Sequence, residues 1–311
     1  MYFGWVDRIR VNTNAVQERA KTLGTRRSFK VEAQVAAYIN IARCVDLTTL
    51  KGEDTEDRVR RLCAKALHPI DRTTLEKLEL LTLPLTVGAV CVYPAMVWAA
   101  AGALRGIIPV ASVATGFPAG QTPITTKKLE IEMAIDHGAK EIDVVISRAR
   151  VFGQNWQGLY EELSLFREVC GDRARMKTIL GVGDLKTLEN VAKAAAVAIA
   201  ASRDGDFIKT STGFEETNAT LEAGLVMARA IRESGRRIGF KPAGGIKTAK
   251  DGMLWYSLML EELGEDWCRP DLFRIGASSA SDGRDFLGDL NRQLYHLAFK
   301  RYSSYHHHSI G

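Results

Sequence analysis

Cysteine is scarce in this 311-residue chain: Cys44, Cys63, Cys91, Cys170 and Cys268 are odd in number, widely scattered, and contain no C-x-x-C pair. That argues against a disulfide framework or a zinc site, and for a reducing compartment. The opening segment, Met1-Tyr-Phe-Gly-Trp-Val-Asp-Arg, lacks the long apolar core of a signal peptide, so the expected location is cytoplasmic. No Pro/Ser-rich linker, low-complexity tract or tandem repeat divides the chain. Nor is there a clustered basic arm: the net charge of +5 is spread along the sequence, which argues against nucleic acid as a partner. Leu80 to Leu104 carries no charge at all, but Pro84, Gly88 and Pro94 break it. Its centre, Val87-Gly-Ala-Val-Cys-Val92, is strand-like, so a strand and a buried Ala-rich helix explain it better than a membrane span.

The remaining composition, 46% hydrophobic and 25% charged, is that of an ordinary soluble domain. The length suits one large α/β barrel or two average domains. Strand-like segments at Ala42–Leu47, Val87–Val92, Ile108–Ser112, Glu141–Ile146, Met176–Leu180, Phe207–Lys209, Arg237–Lys241 and Phe273–Gly276 alternate with helical patterns. The helical patterns fall near 56–67, 94–104, 123–137, 156–170, 185–202, 217–234, 248–263 and 279–297. Eight such units predict parallel strands closed into an α/β (β/α)8 TIM barrel with an N-terminal helical extension. The expected organisation is an extension at 1–41, packed through the amphipathic stretch Val31–Ile41, a barrel at 42–297, and a tail at 298–311.

In such barrels reacting groups sit at the carboxyl ends of the strands. Lys209 and Lys241 end the sixth and seventh strands, Asp143 lies within the fourth and Lys177 within the fifth. Asp46 ends the first, and Cys91 lies near the end of the second. Alternation turns Asp143 inward if Ile142, Val144 and Ile146 face the helices, and turns Lys209 and Lys241 inward by the same rule. A lone lysine at a strand end is commonly a solvated surface residue. Two on adjacent strands, facing a carboxylate, are costly to bury unless they do chemistry. A buried lysine answers that cost by losing its proton, and a neighbouring ammonium pushes it further that way. A neutral lysine is a nucleophile for carbonyls, forming Schiff bases. Spacing alone does not say which lysine attacks. Asp143 is either a counter-ion or the proton-transfer group that such a reaction requires.

Three glycine turns follow the last three strands: Thr212-Gly213, Gly244-Gly245-Ile-Lys247 and Gly276-Ala-Ser-Ser279. One alone would mark a tight turn, but together they predict a phosphate cup of backbone N–H groups, with Lys247 adding charge. Ser278 and Ser279 add hydroxyls and are expected to cap the last helix. Thr48 and Thr210, beside Asp46 and Lys209, are candidates for substrate contact. Cys91 reads as an inert buried thiol bordering the site. His306-His307-His308 cannot all aim easily at one ion and reads as a tail rather than a metal site.

The segments Val45-Asp-Leu-Thr-Thr49, Val90-Cys-Val-Tyr-Pro94, Glu141-Ile-Asp-Val-Val145, Asp206–Gly213, Gly239–Gly245 and Arg274-Ile-Gly-Ala-Ser-Ser279 resemble the deoxyribose-phosphate aldolase family. Gly4-Trp-Val-Asp-Arg-Ile resembles the extension of its longer animal-type members. The resemblance implies a class I lyase that reversibly cleaves 2-deoxy-D-ribose 5-phosphate to acetaldehyde and D-glyceraldehyde 3-phosphate, in deoxyribonucleotide catabolism, with no metal and no organic cofactor; the sequence leaves a homo-oligomer open. It implies that Lys209 forms the Schiff base, that Lys241 depresses its pKa, and that Asp143 is the acid/base, with Asp46 and Lys177 in the polar network. Tyr305 matches the family's proton-transferring tail tyrosine. The chain departs at Phe214, where many members carry lysine, and at Gly181-Val-Gly-Asp184, where a Thr-Gly-Glu run is common. A lost cation at 214 is expected to weaken phosphate binding by about 1–2 kcal/mol.

Overall fold

The protein was analysed as a computed structural model that describes residues 3–24, 30–279 and 285–307. Eight parallel strands run in the order β7-β6-β5-β4-β3-β2-β1-β8. They are β1 (Val45–Thr48), β2 (Ala89–Val92), β3 (Val110–Ala114), β4 (Glu141–Val145), β5 (Arg175–Ile179), β6 (Phe207–Lys209), β7 (Gly239–Lys241) and β8 (Ile275–Ser278). The bridges Phe240↔Phe273 and Ala243↔Gly276 join β7 to β8, so the sheet closes into a barrel.

Among the described residues the α-helices are α1 (Thr13–Gly24), α2 (Val31–Arg43), α3 (Glu56–Leu67), α4 (Arg72–Lys77), α5 (Val97–Leu104), α6 (Ile124–Asp136), α7 (Arg148–Phe152), α8 (Trp156–Cys170), α9 (Leu188–Ala201), α10 (Leu221–Ser234), α11 (Ala249–Glu262) and α12 (Phe286–His307). Threonine hydroxyls at Thr55, Thr187, Thr220 and Thr248 accept the third N–H of α3, α9, α10 and α11, so each crossover helix starts where the sequence supplies a cap. Ile142, Val144 and Ile146 are fully buried in the main apolar core between sheet and helices. A smaller cluster of Ala89, Cys91, Ala111 and Val113 lies on the other face of β2 and β3, toward the axis.

Several boundaries differ from the sequence reading. The third strand starts at Val110 because Pro109 has no N–H for a ladder bond; its carbonyl instead accepts from Val90. Helix α2 continues through the buried Ala42 to Arg43, which delays β1 to Val45. The last helix starts at Phe286, not near 279, and its cap is Asp285, whose Oδ1 accepts from Gly288 N–H; Ser278 and Ser279 do not cap it. That helix continues beyond 297 to His307.

The N-terminal segment holds a second helix, α1, that the sequence reading did not separate. It is tied down by Trp156 Nε1 donating to Asp7 (2.9 Å), by Phe3 against Tyr160, and by Arg19 pairing with Glu261 and Glu262 on α11. The uncharged stretch after Leu80 becomes β2 and α5, and no helix among the described residues is long and apolar enough to cross a membrane. All five cysteines are free and buried.

Candidate active site

Parallel register places the charged side chains. Lys209 lies opposite Lys241, and Asp143 opposite Lys177. Asp143 is fully buried, and its Oδ2 accepts from Lys209 Nζ (2.7 Å) and from Lys241 Nζ (2.8 Å). Two ammonium groups therefore share one oxygen, and their nitrogens stand no farther apart than two hydrogen bonds end to end. Asp143 Oδ1 has no hydrogen-bond partner among the described residues; Lys177 Nζ is 3.2 Å away. The interior of β2 and β3 carries the small side chains of the second cluster, with Leu50, Tyr93 and Phe117 packed against them.

Lys241 also reaches Asp46 Oδ2 (2.5 Å), and Lys177 reaches Asp46 (2.8 Å) and Glu141 (2.6 Å). These contacts separate the lysines chemically. Burial lowers the basicity of each. For Lys241 the carboxylates of Asp143 and Asp46 outweigh burial and raise its pKa; for Lys177, Asp143, Asp46 and Glu141 do the same. Lys209 has Asp143 alone against burial and the Lys241 charge, so its pKa falls below that of an ordinary lysine. Burial pushes the Asp143 carboxyl up, yet Lys177, Lys209 and Lys241 together hold it far below the usual carboxylate range. Asp46 is likewise held well below that range, by Lys177, Lys241 and Arg274 against burial. The Cys91 thiol is pushed up by burial and stays protonated.

A cleft of about 530 Å³ opens over Lys209. Of the residues singled out in the sequence, Thr48, Gly213, Gly244 and Gly245 line it, as do Lys247, Gly276, Ser278 and Ser279. Gly244 has φ +82°, and a Cβ there would meet Asn218 at 2.6 Å, so this turn requires glycine. Gly276 lets Ala243 and the Lys241 stem approach: a Cβ would stand 2.8 Å from Ala243 Cβ. The Gly244 and Gly245 N–H groups donate to no described residue, which leaves them for an anion.

Other candidates do not border this cleft. The Thr210 hydroxyl accepts from Ala243 N–H (3.0 Å) and so ties β6 to the turn after β7. Asp46 and Lys177 are sealed within the barrel, and Cys91 lies in the small apolar cluster. The backbone at Tyr305 is helical, while its side chain lies outside what the structure describes. Among the described residues no group of three His, Cys, Asp or Glu side chains is placed to hold a metal ion.

The sequence reading missed four residues. Glu141 and Arg274 point inward, two positions from Asp143 and Gly276 respectively, and strand alternation carried that signal. Lys51 and Asn218 line the cleft from loops, where no periodicity marks them. Phe214 is exposed and meets Phe117 edge-on at 5.6 Å, and Phe117 meets Tyr93 at 6.0 Å, forming an aromatic ridge that reaches the cleft. Lys51 offers at this cleft a cation of the kind that position 214 lacks.

Residues 41–255 match the DeoC/LacD family aldolase. Over 309 residues the chain is 50% identical to the deoxyribose-phosphate aldolase of Mus musculus and 49% identical to that of Homo sapiens, covering 97% of this chain and 94% of each relative. The fold matches a tetrameric deoxyribose phosphate aldolase from Aeropyrum pernix at TM-score 0.60 and 20% identity, over 85% of this chain and 98% of that one.

Proposed function

This chain belongs to the DeoC/LacD aldolase family, and we propose that it reversibly cleaves 2-deoxy-D-ribose 5-phosphate into acetaldehyde and D-glyceraldehyde 3-phosphate through a Schiff base on Lys209. The observation that carries the assignment of Lys209 is its single carboxylate partner, set against two for Lys241 and three for Lys177, together with its place on the cleft wall. It is the lysine that gives up its proton most readily and the one that a substrate meets.

The neutral Lys209 amine attacks C1 of the open-chain sugar, and Asp143 moves the protons needed to form the carbinolamine and expel water. Its Oδ1, free of hydrogen bonds, is the acceptor for that work. The resulting iminium draws the C2–C3 bonding pair as the C3 hydroxyl loses its proton, which releases D-glyceraldehyde 3-phosphate and leaves an enamine. Protonation at C2, by Tyr305 or a relayed water, restores the iminium, and its hydrolysis frees acetaldehyde and the lysine. The substrate phosphate lies on the Gly244–Gly245 turn with Lys247, Lys51 and the Ser278 and Ser279 hydroxyls. The barrel carries this machinery between the N-terminal extension of α1 and α2 and helix α12, whose last turns carry Tyr305. A cytoplasmic site suits the five free thiols, and the tetrameric Aeropyrum pernix relative supports a homo-oligomer.

Reduction with borohydride in the presence of acetaldehyde, followed by peptide mass spectrometry, tests the class of activity and the residue together. The adduct is expected on Lys209. Undiminished trapping by Lys209→Ala refutes the assignment.

A further inference from the structure

We propose that Glu141 and Arg274, at the mouth of the barrel opposite the substrate cleft, are positioning residues that hold Lys209 in its reactive state through a continuous chain of buried ion pairs. The proposal rests on Lys209 being the Schiff-base lysine. A cavity of about 590 Å³ at the amino ends of the strands is bordered by both residues. From there one route runs from Arg274 to Asp46 (2.5 Å), Asp46 to Lys241 (2.5 Å), and through Asp143 to Lys209. A second runs from Arg274 to Glu141 (2.8 Å), Glu141 to Lys177 (2.6 Å), and Lys177 to Asp143 (3.2 Å). The two routes meet at Asp143.

The titratable groups facing this chain come from seven of the eight strands: Asp46 on β1, Cys91 on β2, Glu141 and Asp143 on β4, Lys177 on β5, Lys209 on β6, Lys241 on β7, and Arg274 at the entry to β8. Strand β3 adds none, and Arg175, partly exposed at the rim, stands 3.9 Å from Glu141. Four buried cations thus confront three carboxylates. A cluster out of water resists an unbalanced charge. Balance returns when one cation releases its proton. Arg274 cannot. Lys177 is held by three carboxylates and Lys241 by two, so the proton leaves Lys209. The count, and with it the neutrality of Lys209, includes Arg274 and Glu141 although neither borders the substrate cleft.

The test reads the pH at which borohydride-trapped acetaldehyde adduct on Lys209 reaches half its maximum rate. Arg274→Met leaves three cations for three carboxylates with Lys209 still charged, so the midpoint rises. Glu141→Gln deepens the positive excess, so the midpoint falls. Charges about 10 Å apart at an effective dielectric of about 20 move one another by roughly one pH unit, the size expected for each variant. Arg274→Met/Glu141→Gln restores the balance and returns the midpoint close to its starting value, and Arg274→Lys leaves it in place. A residue acting only on stability lowers the yield at every pH without opposed shifts. Midpoints that stay put, or that move in the same direction in both single variants, overturn the proposal. Should Arg274→Met not fold, Glu141→Gln, which conserves shape, decides alone: a midpoint moved by less than about 0.3 unit overturns it. Absence of a Lys209 adduct in the unaltered chain instead refutes the Schiff-base assignment, a separate result.

Discussion

Replacing Lys241 with leucine removes the positive charge nearest Lys209 while keeping much of the side-chain volume. Both nitrogens bond the same Asp143 oxygen, at 2.7 and 2.8 Å, which puts them about 5 Å apart. At an effective dielectric of about 20 two unit charges at that distance repel by about 3 kcal/mol, or roughly two pH units. Lys241 lowers the pKa of Lys209, so its loss raises it; Asp143, released from one partner, adds to the rise. Adduct formation needs the neutral amine, so the ascending limb of the pH profile is expected to move up by about two units. Near pH 7.5 that means roughly a hundredfold slower trapping. The assay is the rate of borohydride-trapped acetaldehyde adduct on Lys209, followed by mass spectrometry from pH 6 upward on the order of half-unit steps. At high pH the variant should regain the parent yield, because Lys209 itself is intact. A limb that stays in place or moves down refutes the reasoning that neighbouring charge makes Lys209 a nucleophile.

Because the pKa of Lys209 is lower in the folded protein than its unfolded value of about 10.4, the unfolded chain binds a proton the native state disfavours at every pH below that value. Lys209→Met is therefore expected to stabilise the fold at neutral pH, by about 1 kcal/mol, and a lower Tm in calorimetry contradicts this. Asp46 and Asp143 have the opposite sign: their depressed values contribute stability that is complete above about pH 4 and drains as pH falls toward the folded values. Asp46→Asn should cost about 3–5 kcal/mol at pH 7 in denaturant unfolding and flatten the acid dependence; an unchanged acid limb argues against the network. Lys51→Ala should raise KM for the 5-phosphate about tenfold, worth about 1.4 kcal/mol, and leave KM for unphosphorylated deoxyribose unchanged. An equal effect on both sugars removes Lys51 from phosphate recognition.

The barrel was legible in the chain because its signals are local. β-Branched runs, threonine caps and helical periods fall within a few residues of one another, and Phe207–Lys209, Glu56–Leu67 and Trp156–Cys170 begin and end where the pattern places them. Alternation around Asp143, Lys209 and Lys241 turned all three to the axis, and the register brings them onto one oxygen. Short helices α4 and α7 escaped notice because five or six residues hold too little period to stand out. Lys51 and Asn218 escaped because loops carry none.

Residue types, their spacing and the strand period by themselves determined that two lysines and an aspartate would face one another inside a parallel barrel. Those features left open which lysine lies closer to losing its proton; the motif resemblance pointed to Lys209, but the physical cause, one carboxylate partner against two for Lys241, exists only in the folded chain. Charge balance in a buried cluster depends on every group within it, and Asp46, Glu141, Lys177 and Arg274 come together from strands up to 228 residues apart in sequence. Electrostatic energy depends on distance in space and on burial, and neither is written in the linear order of the residues.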